Sequence, residues 1–264
     1  MTTPDDLFGA LWDQYARLTP QAEAIRGLLE ARGETVRNDH VAFRTYDHER
    51  LGIDRMARPF LDLGYREFDT YRFEEKKLFA RAYAHEDESQ PKVFISELLL
   101  DEFGGDLRER VDALVEQMPD GAAEGAGHLT SGRPWTVDTG TYEALAAESE
   151  YAGWLAAYGF CANHFTVFVN ALTSFDSLED LAAFIEGEGY AMNDAGGVIK
   201  GGPEVLLAQC STRAARVETA FEDGTLTIPS CYYEFAKRYQ GSDGKLYQGF
   251  VASSADKIFE STDR

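Results

Sequence analysis

Two histidines occupy matching places in the sequence, each at the start of a segment with the alternating pattern of a β-strand. His40 opens HVAFRTY and His164 opens HFTVFVNAL. Because the side chains of a strand alternate between its two faces, His40 and Arg44 share one face of the first segment. By the same rule, His164 shares its face with Thr166. The pattern therefore predicts two strands that each present an imidazole on one face.

A carboxylate lies on a third segment of the same kind. In the late segment CYYEFAKRY, Glu234 shares a face with Tyr232 and Ala236. If the strands close around a common cavity, His40, His164 and Glu234 converge there. Two imidazoles and one carboxylate form the facial triad that holds Fe(II) and leaves positions open for other ligands. Cu(II), Zn(II) and Mn(II) accept the same donors, so the sequence alone does not select the metal.

The same residues also permit a purely structural interpretation. A single histidine on a strand is more often a hydrogen-bonded structural residue than a ligand, and Glu234 on an amphipathic strand could be a surface acid. Glu97, in the SEL segment of the first half, is expected to be a buried structural acid rather than a fourth ligand. The remaining histidines stand in polar or glycine-rich surroundings and are expected at the surface: His48, His85 and His128. Tyr232 is expected to be a packing residue.

Arg44 could bind an anion at the same cavity. It lies two alternations beyond His40, and a guanidinium binds a carboxylate in a planar, two-pronged geometry that lysine does not reproduce. The alternative is an ion pair with one of the 46 acidic residues of the chain. The sequence favours neither interpretation over the other.

The elements that carry these residues are echoed within the chain. From His40 a strand leads to the helical pattern DRMARPFLDLGYREF, and from His164 a strand leads to SLEDLAAFIEGEGYAMN. Both helical patterns end in Gly-Tyr, and the distance from histidine to that tyrosine is 25 positions in the first half and 26 in the second. Strand-like segments follow each Gly-Tyr, so each half is predicted to be a β-α-β-β-β module.

We therefore predict an α+β fold in which two modules pair into one curved, barrel-like mixed sheet, with additional helices. The chain, 1–264, is predicted to be a single domain, with the repeat over approximately 36–100 and 160–240 and a helical insert over approximately 104–158. Two helices are predicted at the start of the chain, and two more over 106–118 and 141–158. Residues 119–135 are predicted to be a loop that serves as a linker or a mobile cover. The last strands of the second half are predicted over VLLAQCST, ARVETAFEDG and LTIPSCYYEFAKRYQ.

The composition limits the possible partners and compartment. The 264 residues carry a net charge of −21, which argues against nucleic acid and anionic membranes because both bind basic surfaces. The three cysteines show no CxxC spacing, so a disulfide framework or a zinc ribbon is not expected. The N-terminal segment lacks the pattern of a signal peptide, and no segment approaches the roughly 20 apolar residues of a membrane span. A cytoplasmic protein is therefore expected.

Four segments together resemble the 2-oxoadipate dioxygenase/decarboxylase family, whose members are also called hydroxyglutarate synthases. They are HVAFRT, NHFTVFVN, CYYEFAKRY and the closing SSADKIFEST. The resemblance spans about residue 5 to residue 263. It implies a fold like that of the vicinal-oxygen-chelate enzymes and an Fe(II) centre. It also implies the conversion of 2-oxoadipate and O₂ to 2-hydroxyglutarate and CO₂.

The resemblance also implies roles for individual residues. The metal ligands of the family, which also contact the substrate, fall on His40, His164 and Glu234. Its substrate-binding arginine falls on Arg44, which would hold the distal carboxylate of the substrate and so select its chain length. Two further substrate contacts, in the loop before the last short helix, fall on Ser253 and Ser254.

Two other kinds of function stay open at this point. Another metalloenzyme of the same architecture, namely an extradiol dioxygenase, an isomerase or a lyase, would use the same three ligands. A metal-free protein that sequesters a small molecule in the cavity would use none of them as ligands, and changing His164 would not affect it. The sequence does not predict the oligomeric state.

Overall fold

The computed structural model of the chain describes residues 3–262, apart from the side chains of Ser253 and Asp256. The helices are α1 (Pro4–Leu18), α2 (Pro20–Ala31), α3 (Gly52–Asp62), α4 (Gly105–Val115), α5 (Thr139–Glu148), α6 (Glu150–Tyr158), α7 (Leu178–Gly187) and α8 (Ala252–Phe259). The strands are β1 (Asn38–Tyr46), β2 (Arg66–Phe73), β3 (Leu78–Ala84), β4 (Lys92–Leu98), β5 (Ala162–Phe168), β6 (Lys200–Gly202), β7 (Leu207–Ser211), β8 (Arg216–Phe221), β9 (Gly224–Pro229) and β10 (Tyr232–Arg238).

One mixed sheet curls into a half-barrel and contains strands from both halves of the chain. Its order is β2-β3-β4-β1-β5-β10-β7-β6. The β1–β4 and β5–β10 pairs are parallel, and β1 and β5 pair antiparallel at the seam between the halves. α8 packs against β2 at one edge and against β6 at the other, so this short helix spans the opening of the half-barrel. The predicted α+β class and curved mixed sheet are confirmed.

The element order in each half follows the module that the sequence suggests. The first half contributes β1, α3 and β2 to β4, and the second contributes β5, α7, β6, β7 and β10. The single domain with a repeat over 36–100 and 160–240 stays a prediction. ARVETAFEDG was expected to be a strand of the main sheet. That placement is wrong, because β8 pairs with β9 in a separate hairpin. LTIPSCYYEFAKRYQ likewise divides into β9 and β10 after Pro229.

The helical segment between the halves also differs in detail from its prediction. The helix expected over 141–158 is two helices, because Ser149 ends α5 and its hydroxyl accepts a hydrogen bond from the backbone N–H of Ala152 at 3.3 Å. The loop expected over 119–135 contains a short 3-10 helix, Ala126–Thr130. The surface position expected for His128 is wrong: its ring is buried against Phe160, and its Nδ1 lies 2.6 Å from the carbonyl oxygen of Gly125.

The two opening helices cover the outer face of the sheet behind β5 and β10. α1 begins as predicted, with Thr3 and Asp6 hydrogen-bonding each other's backbone N–H groups in a capping box. Its Tyr15 packs on Phe165 of β5, with ring centroids 5.0 Å apart, and donates a hydrogen bond to the carbonyl of Tyr232 at 2.5 Å. Among the described residues, no helix is both long and apolar enough to cross a bilayer.

Candidate metal centre

The pairing of three neighbouring strands brings the predicted ligands together. β5 lies between β1 and β10, and Thr166 of β5 stands opposite both His40 on one side and Glu234 on the other. His164 lies one alternation away on β5, on the same face as Thr166. The three side chains therefore point from adjacent strands into the hollow of the half-barrel.

The three side chains form a compact, buried group of donor atoms. The Nε2 atom of His40 lies 3.5 Å from one carboxylate oxygen of Glu234, and the Nε2 atom of His164 lies 3.3 Å from the other. One ligand atom from each residue lies within 4.8 Å of the other two, and all three residues are buried. Within the described part of the chain, no other group of histidine, cysteine or acidic residues meets this criterion.

Two β-bulges fix the orientation of the histidine rings. The pairing of β1 with β5 shifts by one residue at Asp39 and again at Asn163, immediately before each histidine. Each bulge brings the preceding side chain beside the ring, so Nδ1 of His40 lies 2.8 Å from Oδ1 of Asp39 and Nδ1 of His164 lies 3.0 Å from Oδ1 of Asn163. With Nδ1 held in this way, the Nε2 atom of each ring faces Glu234. Metal-binding histidines are commonly oriented in this way.

Asp39 is itself held by a buried arginine. Arg238 donates from Nε and from NH2 to the two carboxylate oxygens of Asp39, at 2.6 and 2.7 Å. Its NH1 donates to the backbone carbonyls of Tyr247 and Gly249, each at 2.9 Å. Burial raises the pKa of Asp39, but the charge and hydrogen bonds of Arg238 outweigh burial and hold that pKa well below its usual range. Asp39 is therefore an anion that supports His40.

Burial also sets the protonation of the ligands. It lowers the pKa of His164 well below its usual value, and the nearby His40 and Arg44 lower it further. It raises the pKa of Glu234, while His40 and a 2.6 Å hydrogen bond from Gln209 to Oε1 act against that rise. A neutral imidazole and a carboxylate that lacks full solvation both gain from coordinating a cation. The group therefore fits a divalent metal, and its donor types admit Fe(II), Mn(II), Zn(II) and Cu(II) alike.

Arg44 forms the ion pair that was the alternative to anion binding. Its NH1 donates to both oxygens of Glu150 at 3.0 and 3.2 Å, and its NH2 donates to the hydroxyl of Thr262 at 3.0 Å. The guanidinium is buried and lies against the rings of Tyr151 and Trp154, 4.8 and 5.0 Å from their centroids. Its Nε has no hydrogen-bond partner among the described residues. The Nε–H of Arg44 is thus left for a ligand.

The other predicted site residues lie away from the three ligands. Glu97 points to the opposite face of β4, where its carboxylate accepts a hydrogen bond from the backbone N–H of Ile53 at 3.0 Å, near the start of α3. It is a structural acid, as the sequence favoured. Ser253 and Ser254 were expected in the loop before the last short helix, but both belong to the first turn of α8. Ser254 is buried near Gly201 of β6, two strands from β10. The side chain of Ser253 lies outside the described residues, and substrate binding by either serine stays a prediction.

Two aromatic rings complete the walls of the site. The ring of Tyr232 stacks on His164, with centroids 4.6 Å apart and planes at 24°. The ring of Phe250 meets His40 edge-on, with centroids 4.8 Å apart. The alternation of β10 already placed Tyr232 on the face of Glu234, so this neighbour could have been found from the sequence. Phe250 and Gln209 give no comparable signal, because their positions depend on how distant segments pack.

The chain matches a protein family over most of its length. The family model described as 2-oxoadipate dioxygenase/decarboxylase matches residues 6–119 and 122–245. A relative from Arabidopsis thaliana, named 2-oxoadipate dioxygenase/decarboxylase, chloroplastic, is 37% identical over 253 residues. That match covers 85% of this chain and 67% of the relative.

Solved structures share the fold. A Shewanella frigidimarina protein that was named provisionally as a hydrolase is 46% identical, with 96% of this chain and 99% of that chain covered and a TM-score of 0.91. The hydroxyglutarate synthase of Oryza sativa, solved in complex with 2-oxoadipate, is 32% identical, with 97% and 91% covered and a TM-score of 0.91. A Ralstonia eutropha protein provisionally assigned to the glyoxalase superfamily is 24% identical, with 93% and 83% covered and a TM-score of 0.75. The vicinal-oxygen-chelate-like fold expected from the sequence is confirmed.

Proposed function

This chain belongs to the 2-oxoadipate dioxygenase/decarboxylase family, and we propose that it is an Fe(II)-dependent enzyme that converts 2-oxoadipate and O₂ to 2-hydroxyglutarate and CO₂. The observation that carries the proposal is the buried group of His40, His164 and Glu234. It lies in a chain that resembles, along nearly its whole length, a rice enzyme solved with 2-oxoadipate. The atoms balance without a second organic substrate, because the keto acid supplies both the carbon that leaves and the carbon that is hydroxylated.

The three ligands, oriented by the residues that hydrogen-bond to them, would occupy only part of the coordination sphere of the metal. A bound Fe(II) would supply a Lewis-acid centre at which a 2-oxo acid and O₂ are held in contact. Asp39 and Asn163 keep the Nδ1 protons away from the centre, and Gln209 orients one oxygen of Glu234. Three protein ligands on one side leave positions open for the carboxylate and keto oxygens of the substrate.

The walls of the hollow would shape and protect the reaction. Tyr232 and Phe250 flank the two imidazoles with apolar ring faces and edges. Such walls exclude water, which would compete for the open metal positions and quench a reactive oxidant. Arg44 is proposed to bind the distal carboxylate through Nε, which has no hydrogen-bond partner among the described residues. Substrate contacts at Ser253 and Ser254 are proposed on the resemblance alone.

The proposed partners are small molecules only, a 2-oxo acid and O₂, and we propose a cytoplasmic enzyme. The net charge of −21 supports the absence of nucleic-acid and membrane partners. The Arabidopsis thaliana relative is named chloroplastic. Fractionation of the native host with an antibody against this chain would test the compartment directly.

Oxygen consumption by protein loaded anaerobically with Fe(II) tests the reaction. We expect O₂ uptake with 2-oxoadipate, equal release of CO₂ and formation of 2-hydroxyglutarate, and weaker turnover of 2-oxo acids one carbon shorter or longer. Bound iron without O₂ uptake on any of these acids would overturn the proposal. It would direct attention to catechols as substrates and to isomerase or lyase chemistry.

A matched pair of variants tests the ligands. Glu234 and Glu97 lie on the last strand of each half, but only Glu234 faces the metal centre. We expect Glu234→Gln to lose stoichiometric iron and all turnover while remaining folded, because an amide is a poor replacement for a carboxylate ligand. Glu97→Gln should keep its iron. Retention of full iron by Glu234→Gln would show that Glu234 is not a ligand.

A further inference from the structure

Three buried hydrogen-bond donors near the metal centre have no acceptor among the described residues. Nδ2 of Asn163 is on β5, and the other two are the Nε atom of Arg44 on β1 and the hydroxyl of Tyr232 on β10. Arg44 and Tyr232 are almost completely buried. A buried polar group without a partner is unfavourable, and native proteins seldom keep one without a reason. Such donors near one cavity indicate that something else supplies the acceptors.

Strand directions place the donors of Arg44 and Tyr232 on the same side of His40 and Glu234. β1 runs antiparallel to β5, and β10 runs parallel to β5. Moving from His40 towards Arg44 along β1 is therefore the same direction as moving from Glu234 back towards Tyr232 along β10. Tyr232 lies opposite His164, which in turn lies opposite Ala42.

Along the strands, Tyr232 is thus level with the ligand His164 and lies between the level of His40 and that of Arg44. Arg44 begins four residues beyond His40, about 13 Å along the strand. Between those two residues, the inner face of β1 carries only the methyl group of Ala42. The side chains of Arg44 and Tyr232 also interact electrostatically with each other.

We propose that the hydroxyl of Tyr232 donates a hydrogen bond to the distal carboxylate of a 2-oxo dicarboxylic acid, beside Nε of Arg44, and so selects dicarboxylic over monocarboxylic substrates. This inference rests on the proposed function for the identity of the ligand. Glu150 already offsets the charge of Arg44 and occupies its NH1, and Thr262 takes one N–H of its NH2, so the guanidinium alone offers few donors to two carboxylate oxygens. A neutral phenol adds a further donor without burying another charge.

The chain provides a matched control in the next residue. The hydroxyl of Tyr233 is also buried and also lacks a hydrogen-bond partner among the described residues. Its ring points to the opposite face of β10, where it packs against Trp12 at 5.8 Å and Phe235 at 5.2 Å. Tyr233→Phe therefore removes the same atom from the same strand without touching the hollow.

The test is anaerobic calorimetric binding of two keto acids to Fe(II)-loaded wild type, Tyr232→Phe and Tyr233→Phe. The acids are 2-oxoadipate and 2-oxohexanoate, which has a methyl group in place of the distal carboxylate. We expect Tyr232→Phe to weaken 2-oxoadipate binding by about ten-fold or more, the loss typical of one hydrogen bond to a charged group, and to leave 2-oxohexanoate binding within about two-fold. Tyr233→Phe should change neither, and all three proteins should hold equal iron.

The outcomes separate this inference from the proposed function. Equal weakening of both acids in Tyr232→Phe, or no weakening of either, would overturn the role of the hydroxyl even if wild type consumes O₂. Selective weakening of 2-oxoadipate in wild type that consumes no O₂ would support the carboxylate contact and reject the proposed reaction. Failure of wild type to prefer 2-oxoadipate over 2-oxohexanoate would also overturn the inference.

Discussion

Replacing Asp39 with asparagine tests how the metal centre is supported, because it changes charge and hydrogen bonding without changing shape. Oδ1 of Asp39 accepts from both His40 and Arg238, and Oδ2 accepts from Nε of Arg238. An asparagine supplies one oxygen and one NH₂ group. Whichever way the amide turns, its NH₂ group meets an N–H donor of Arg238, and the guanidinium keeps its charge in a site that is only 2% exposed.

The expected cost follows from that geometry. Removing one partner of a buried, hydrogen-bonded ion pair typically lowers the free energy of unfolding by about 3–5 kcal/mol. The outer partner of a metal-binding histidine typically affects metal affinity by about 10- to 100-fold. We therefore expect Asp39→Asn to lose about 3 kcal/mol or more of stability as the metal-free protein, and to bind Fe(II) at least about ten-fold more weakly.

Urea denaturation of metal-free protein and competition with a metal-chelating dye measure these two quantities separately. Asp54→Asn is the control, because Asp54 pairs with Arg81 at 2.8 Å but its side chain is 86% exposed. A surface pair of that kind contributes about 1 kcal/mol or less. If Asp39→Asn were as stable as Asp54→Asn, the buried pair would not stabilise the fold as argued. If its metal affinity were unchanged, Asp39 would not orient His40.

Two further changes probe the charges around the centre. Glu150→Gln removes the negative charge beside Arg44. We therefore expect the KM for 2-oxoadipate to fall about three- to ten-fold, on the order of 1 kcal/mol, and the KM for 2-oxohexanoate to stay unchanged. An equal shift in both KM values would mean that Arg44 does not face the distal carboxylate. Burial lowers the pKa of His164, so the unfolded chain takes up a proton below about pH 6.5 that the folded chain does not. Metal-free protein should therefore lose stability as the pH falls below that value, by about 1.4 kcal/mol per pH unit. Burial raises the pKa of Glu234, which makes stability change with pH in the opposite direction in both wild type and His164→Gln. The contribution of His164 is therefore the difference between the two proteins in the pH dependence of their stability, measured by urea titrations. Identical pH dependence in both proteins would contradict the lowered pKa of His164.

The convergence of the three ligands could be predicted from the sequence, because it depends on the two-residue alternation of side chains along a strand. Side chains of a strand alternate, so His40, His164 and Glu234 each had a defined face once their strands were recognised. The echo between the two halves then suggested that those faces meet. The structure places His40 and Glu234 on either side of Thr166, which is the arrangement that three adjacent strands with inward faces require.

The residues that orient the two histidines could not be predicted from the sequence, and the alternation of side chains explains why. Asp39 and Asn163 directly precede the two histidines, and in a regular strand neighbouring side chains point to opposite faces. The sequence therefore predicted no contact within the Asp-His and Asn-His pairs. A one-residue bulge at each place reverses that expectation, and a bulge has no reliable signature in composition. The ion pair between Asp39 and Arg238 spans 199 positions and depends on the pairing of β10 with β5, which in turn pairs with β1.

The charges around the hollow explain why hydrogen-bond donors, more than net positive charge, would bind the distal carboxylate near Arg44. A divalent cation with Glu234 would leave one positive charge, since Asp39 and Arg238 cancel each other, and the chelating carboxylate of a 2-oxo acid would neutralise it. At the other end, Arg44 and Glu150 also cancel. A distal carboxylate would thus enter a region with no net positive charge, where a buried anion is costly unless hydrogen bonds surround it. Glu150 is 27% exposed, so water screens its repulsion, while Nε of Arg44 and the hydroxyl of Tyr232 are buried without a hydrogen-bond partner among the described residues. Affinity for the dicarboxylate should therefore depend on these two hydrogen bonds more than on net charge.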